Sequence, residues 1–476
     1  MQLALRTEHI PFSSLCAFFD AAEARQRAGQ DIINMVMGRP DFLPAPHINE
    51  AVKKAVDDGQ VHYTSNYGLL ELRQEVARKL KGENGLGYAP ETEIVITAGV
   101  SEALHLSMAA LLNPGDEALI PAPAFLSYGS CVHMASGVPV FVPTEQAKGF
   151  QPEPDVLERH ITPKTKLILI NSPQNPTGTV YPRETLQGIA DLAIRHDLIV
   201  VSDEINEKII FDGEEHISIA SLPGMRERTV VLNGFSKAYA MTGSRIGYAA
   251  GPERLIAPIY CAHQYSAMCP CTYAQWGAVA ALRGPQGHIA DMVKELDRRR
   301  LMLLDRLAAM PGVSFVRPKG AFYIMVSIPG LGTPMQAAEF LLDAGLAIVP
   351  WDEEHLRISY ANSYENLSIA MDRMEKAGRS IMETVEASPA KAKQVRRFAN
   401  YYLPDAVNVL EQYAKLARQG VRGENAASIR AEVERNAASI ATAFENQLDA
   451  LYAAESMDLS ADLTVLQNML KGQGLG

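Results

Sequence analysis

The sequence predicts an α/β fold: a mostly parallel sheet with helices on both faces, followed by a smaller α+β domain and an all-α C-terminal appendix. Three observations predict it. From about Ile94 to Ala250, short β-rich runs alternate with longer helical segments, the rhythm of strand–helix–strand units. Runs such as LILI (167–170) and LIVV (198–201) are apolar at every position, which suits strands covered on both faces. Past Gly287 the texture changes to long helices and a few strands, and after Ser388-Pro389 only helical periodicity remains.

The elements follow in order. EIVIT (93–97) is a strand leading into a helix that opens at Ser101. DEALIP (116–121) precedes a segment opening near Ser127, and KLILIN (166–171), LIVVSDE (198–204) and TVVLNGF (229–235) continue the sheet. A charged helix near 288–309 then leads to VSFVRP (313–318) and GAFYIMVSI (320–328), a helix from Met335, and strands in LAIVPW (346–351) and HLRISYA (355–361). The expected domains are an N-terminal segment of the small domain (1–45), a large domain (46–286), the small α+β domain (287–387) and a helical C-terminal domain (388–476). In the last, Ile429, Val433, Ala437, Ile440, Phe444, Leu448 and Leu451 recur at steps of four and three, one apolar helix face. Helices are expected near 393–419, 426–453 and 460–471.

Composition narrows the function. The 476 residues are 47% hydrophobic and 21% charged, as in ordinary globular proteins. The net charge of −11 argues against a general nucleic-acid or anionic-membrane binder. Five cysteines are few and odd in number, so a disulfide framework is not expected and a reducing, cytoplasmic setting is. Cys269-Pro-Cys271 lacks a second Cys pair or a His cluster, so it reads as packing and no metal is expected. No secretory leader and no membrane-length apolar run is visible.

Several residues carry chemistry. Lys237 lies in GFSKAYAMTGSRIGY (234–248), among small and hydroxyl residues after an apolar strand. A desolvated lysine there suits Schiff-base chemistry, and Arg245 can turn back to a phosphate; a helix cap plus a surface arginine is the plainer alternative. Asn175 follows the strand KLILIN in NSPQNPTG, and Asp203 ends LIVVSDE, both at the sheet edge where ligands bind. Each is also compatible with a turn or a solvated strand end. Gly99-Val100-Ser101 opens a helix after EIVITA, a turn whose free N–H groups suit phosphate. Phe125 in PAPAF suits ring stacking or core packing. Arg357 sits inside the apolar strand HLRISYA and needs a carboxylate, either a substrate's or an internal one.

In chain order these residues form a pattern that resembles the fold-type I, class I/II pyridoxal-phosphate aminotransferases, especially the aspartate and aromatic branch. The resemblance covers about residues 8–385 through MGRPDF (37–42), YTSNYGLLELR (63–73), TAGVSEAL (97–104), NSPQNPTG (171–178), SDEI (202–205), SKAYAMTGSRIG (236–247), PKGAFY (318–323) and RISYANSYENL (357–367). It implies pyridoxal 5′-phosphate as cofactor and ping-pong transfer of an amino group from an L-amino acid to a 2-oxo acid, 2-oxoglutarate above all. It implies Lys237 as the imine-forming lysine and Asp203 as partner of the ring nitrogen. Asn175 and Asn206 would face the ring oxygen, and Phe125 the ring face. Val100, Ser101, Ser236 and Arg245 would surround the phosphate, joined by Tyr63 of a homodimer partner. Gly38, Asn175 and Arg357 would hold the substrate carboxylate.

Two departures from the family pattern stand out. Asn206 occupies the place of a usual tyrosine that donates to the ring oxygen; its shorter amide still has a donor, which implies a weaker hold on the phenolate. The loop before Arg357 is reduced to WDEEHL (351–356), and Trp351 is expected to fill the space. Ser244 replaces a common tryptophan, with little weight for function. The departures keep two alternatives open: a β-lyase, or a catalytically impaired scaffold acting through its C-terminal helices. The C-terminal stretch, with RRFANYYLPDAVNVLEQYAKL (396–416), resembles the XpaC-like family linked to bromochloroindolyl-phosphate hydrolysis. It contains no histidine or cysteine, so an interaction module with an unidentified partner is expected there rather than a phosphatase site.

Overall fold

A computed structural model describes residues 13–328 and 331–387, together with Thr7 and Ile10. The chain divides into two compact units, Met1–Met382 and Glu383–Gly476. In the second, the described part is the end of the helix Tyr364–Ala387; the helices expected near 393–419, 426–453 and 460–471 lie outside the described residues.

The first unit is built on a seven-stranded sheet. Its order across the sheet is Ile94–Thr97, Gly247–Ala250, Thr229–Gly234, Ile199–Asp203, Thr165–Asn171, Glu117–Ala122 and Val138–Pro143. Gly247–Ala250 runs antiparallel to both neighbours, and the other pairs are parallel. The all-apolar strands are buried on both faces, as their composition predicts. Leu167 and Leu169 pack with Val201 and Leu232 on one side, while Ile168 and Ile170 pack with Val200 and Ile189 on the other. Successive side chains of a strand point to opposite faces, so helices must cover both.

Two strands of this sheet carry weak sequence signals. Val138–Pro143 contains two prolines, which a sheet tolerates at its edge, where Phe141 is 51% exposed. Gly247–Ala250 is built of Gly, Tyr and two Ala, residues that mostly lack strand propensity, and it is set by pairing on both sides.

A four-stranded sheet, in the order Val349–Pro350, Leu356–Ser359, Tyr323–Ser327 and Ser314–Phe315, lies in the later half of this unit. The run LAIVPW is two short strands rather than one. Leu346–Ala347 pairs parallel with Ile33–Asn34, whereas Val349–Pro350 pairs antiparallel with Leu356 and Arg357. Ile348 between them is fully buried, so the run stays apolar across the change of partner. The helix Gly287–Ala308 buries Ile289, Met292, Leu296, Leu303, Leu304 and Leu307, a stripe at helical spacing. The helix Pro334–Asp343 starts with a capping box, Thr333 with Gln336, and a proline at its first turn. One apolar cluster joins Phe18, Ala22, Ile33 and Met35 to Leu296, Phe322, Leu346 and Ile358.

Candidate active site

Strands of the large sheet end at a cavity of about 770 Å³. Its lining includes Val100, Ser101, Phe125, Asn175, Asp203, Asn206, Ser236, Lys237 and Arg245 from segments at these strand ends, with Gly38, Tyr323 and Arg357 closing it. Every site residue named from the sequence therefore meets here except Tyr63. That residue is 83% exposed and lines a separate surface depression with His62, Arg73 and Thr272.

Lys237, partly buried, and Asp203, buried, form the electrostatic centre. The Lys237 amine donates to the carbonyl of Gly38 and stands 5.4 Å from the Phe322 ring centroid. Burial pushes its ammonium down to about 8; the cations Arg357 and Arg245 push the same way and Asp203 opposes them. Asp203 is 5% exposed at the end of its strand. Burial raises its carboxyl to about 6, against hydrogen bonds from the Tyr128 hydroxyl and the Ile205 N–H. The Tyr128 bond is 2.8 Å and the Ile205 bond 3.2 Å. Asn171 fixes the neighbouring strand ends: its Nδ2 donates to the Asp203 carbonyl at 2.8 Å, and its Oδ1 accepts from the Asn175 N–H at 2.7 Å.

A second cluster is made for an anion. Gly99 caps the helix Val100–Leu111 with φ +79°, a left-handed conformation that favours glycine. A Cβ at Gly99 would fall 2.5 Å from Nη2 of Arg245. The missing side chain thus lets the guanidinium lie against the helix start, where unpaired N–H groups already favour negative charge. Arg245 is itself left-handed, and its Nη1 donates to the Thr242 carbonyl at 2.9 Å.

Arg357 is 1% exposed. Its Nη1 donates to Asn175 Oδ1 at 3.0 Å and its Nη2 to the Val36 carbonyl. Nε has no partner. The guanidinium carbon lies 4.6 Å from the Tyr323 ring centroid and 4.5 Å from that of Trp351. Among the described residues Arg357 makes no ion pair, so the internal carboxylate left open by the sequence is absent there. Burial lowers its pKa to about 10, and a buried charge of this kind calls for an incoming anion. Trp351 is buried, its indole N–H donating to the Ala124 carbonyl at 3.2 Å. Gly38 is required by packing, since a Cβ there would sit 2.0 Å from the Tyr323 hydroxyl.

Asn206 is buried and lines the cavity. Its Nδ2 donates to the Pro173 carbonyl at 3.2 Å, and Oδ1 is the buried atom without a partner. Four further contributors escaped sequence reasoning: Tyr128, Asn171, Tyr323 and Arg39. Tyr128 follows Phe125 by three residues, and their rings meet edge to face at 5.6 Å; that spacing was the available signal.

Away from the cavity, Glu204, Glu207 and His216 bring possible metal ligands together. Protein groups already engage the two carboxylates. Ser202 and Ser218 donate to Glu204 at 2.9 and 2.7 Å, and the Lys79 amine pairs with Glu207. That cation helps hold the Glu207 carboxyl down at about 2 despite burial.

Comparison with known proteins agrees with this geometry. The family model described as aminotransferase class I and II matches residues 30–374. The aspartate aminotransferase of Pyrococcus abyssi is 44% identical over 386 residues, covering 79% of this chain and 98% of that protein. The aromatic-amino-acid aminotransferase 2 of Thermococcus litoralis is 42% identical over the same length and the same shares. The structure of Thermus thermophilus aspartate aminotransferase with maleate superposes with a TM-score of 0.77 at 39% identity, over 79% of this chain and all of that one. A second model, described as 5-bromo-4-chloroindolyl phosphate hydrolysis protein, matches residues 360–466. Among the described residues no helix is long and apolar enough to cross a membrane. The chain belongs to the class I and II aminotransferases, pyridoxal-phosphate-dependent transaminases, and carries a C-terminal segment of the bromochloroindolyl-phosphate hydrolysis family.

Proposed function

We propose that this chain transfers an amino group from an L-amino acid to 2-oxoglutarate by ping-pong turnover in the 770 Å³ cavity. The observation that carries the reading is one partly buried lysine amine sharing that cavity with one buried carboxylate and one buried guanidinium that makes no ion pair among the described residues. The residues fit pyridoxal 5′-phosphate. Arg245, Ser236, Val100 and Ser101 suit its phosphate, and Asp203, which has no cation hydrogen-bonded to it, suits the ring nitrogen. Phe125 suits the ring face, and Asn175 with Asn206 the ring oxygen. When bound, the cofactor supplies an aldehyde for amines and an electron sink for the substrate's Cα.

The chain's own groups do the rest. With a pKa near 8, about a quarter of Lys237 is unprotonated at pH 7.5. Its amine would hold the cofactor's aldehyde carbon and would take and return the substrate's Cα proton. Arg357 grips the α-carboxylate, its plane fixed by Trp351 and Tyr323, and Asn175 holds the guanidinium from below. Gly38 leaves the room that the Tyr323 hydroxyl occupies.

The active unit in this reading is a homodimer. Tyr63, Val61, Tyr265 and Met268 are exposed by 83%, 56%, 92% and 45%. Their segments are stitched together by Asn66 to the Met268 carbonyl at 2.8 Å and Thr272 to the His62 carbonyl at 2.6 Å. Such an apolar, aromatic face suits a second copy, with Tyr63 reaching that copy's phosphate site.

The test is a panel of amino donors with 2-oxoglutarate, with Lys237→Ala as the blank. Glutamate should form with the wild type and not with the variant. Pyruvate and ammonia released from β-substituted amino acids without any 2-oxo acid would favour the lyase instead.

A further inference from the structure

We propose that Arg39 is a specificity-determining residue that pairs with the second carboxylate of a dicarboxylic substrate. This rests on the aminotransferase reading above and adds the residue that selects the substrate class. The cavity is lined by four cations, Arg39, Lys237, Arg245 and Arg357, and by one carboxylate, Asp203. Three of the cations are committed. Lys237 donates to the Gly38 carbonyl, Arg245 lies against Gly99 at the helix start, and Arg357 is held by Val36, Asn175 and two rings.

Arg39 differs from all of them. Like Arg245 it is exposed, but it alone of the four has no hydrogen bond or ion pair among the described residues. It directly follows Gly38, whose carbonyl receives the reacting amine, so its side chain springs from the backbone at the centre of the site. Its cavity neighbours Met37 and Leu15 offer no countercharge. A cofactor phosphate and a substrate α-carboxylate would answer Arg245 and Arg357. They leave Arg39 as the cation without an anion in a cavity of like charges. A second substrate carboxylate supplies that anion, and a charge-assisted bond to guanidinium holds it. The similar Thermus thermophilus enzyme was solved with maleate, itself a dicarboxylate.

The experiment compares full-length, cofactor-loaded wild type with Arg39→Gln and Arg39→Lys. Two readouts are taken: the ratio of kcat/KM for 2-oxoglutarate to that for pyruvate, and the binding of unreactive glutarate against butyrate, followed by the cofactor's absorbance. Arg39→Gln should lower both the rate ratio and the glutarate preference about tenfold. Arg39→Lys, which keeps the charge but not the planar fork, should fall between. Unchanged ratios in Arg39→Gln, or no glutarate preference in the wild type, overturn the assignment. A wild type that binds glutarate through Arg39 but transfers no amino group would instead sink the aminotransferase reading and leave the anion site standing.

Discussion

The Tyr128 hydroxyl donates a 2.8 Å hydrogen bond to Oδ2 of Asp203, and both side chains are buried. The bond crosses 75 positions of sequence and ties the strand end that carries the carboxylate to the helix Ser127–Met134. It stabilises the ionised form against the cost of burial, which already raises Asp203 to about 6.

Tyr128→Phe removes that donor. A hydrogen bond to a charged group contributes about 1.5–3 kcal/mol, and the Asp203 pKa moves further upward without it. The ring nitrogen needs the ionised carboxylate, so pyridoxal phosphate should bind about tenfold or more weakly, with a larger loss at pH 6 than at pH 8. Titration of the cofactor-free protein with cofactor at the two pH values measures this. An affinity equal to wild type at both would show that the bond does nothing for Asp203.

The contrast between Asp203 and Tyr128 also shows what the sequence could reveal. Lys237, Asp203, Asn175 and Arg245 sit in contiguous motifs at strand ends, and apolar runs with turns between them mark those ends. Tyr128, Tyr323 and Arg39 acquire meaning only from neighbours remote in the chain. The same holds for the amide of Asn206: its residue type is legible, but its bond to the Pro173 carbonyl is not. The edge strand Val138–Pro143 and the antiparallel strand Gly247–Ala250 are set by pairing rather than by composition. The break at Ile348 is invisible in a run that stays buried while it changes sheets.

Asn206 lines the cavity, with one amide hydrogen given to the Pro173 carbonyl. An amide is expected to hold the cofactor's ring phenolate more weakly than a tyrosine hydroxyl would. A spectrophotometric pH titration of the cofactor bound to Lys237 should give an apparent pKa at least about one unit lower in Asn206→Tyr than in wild type. Coincident curves would remove Asn206 from the cofactor site.

Lys237 costs the cofactor-free protein stability. Its folded pKa of about 8 lies below the ordinary 10.5, so the unfolded chain holds the proton more tightly and stability rises with pH between about 8 and 10.5. Asp203 has the opposite sign: raised from 3.8 to about 6, it loses stability as pH rises through that interval. Lys237→Met removes the buried cation and should raise the melting temperature of the cofactor-free protein by a few degrees at pH 7, for roughly 1–3 kcal/mol. The gain should shrink towards pH 10, where the amine is already neutral in the fold. Thermal unfolding at both pH values decides it, and an equal gain at both would deny that Lys237 is strained by its charge.

The most direct measurement is reduction of the cofactor-loaded protein with borohydride, followed by peptide mapping. The predicted result is a pyridoxyl group fixed on Nζ of Lys237, with loss of the visible absorption band. A protein that stays colourless in excess pyridoxal phosphate, and yields an unmodified peptide around Lys237, would contradict the account at its centre.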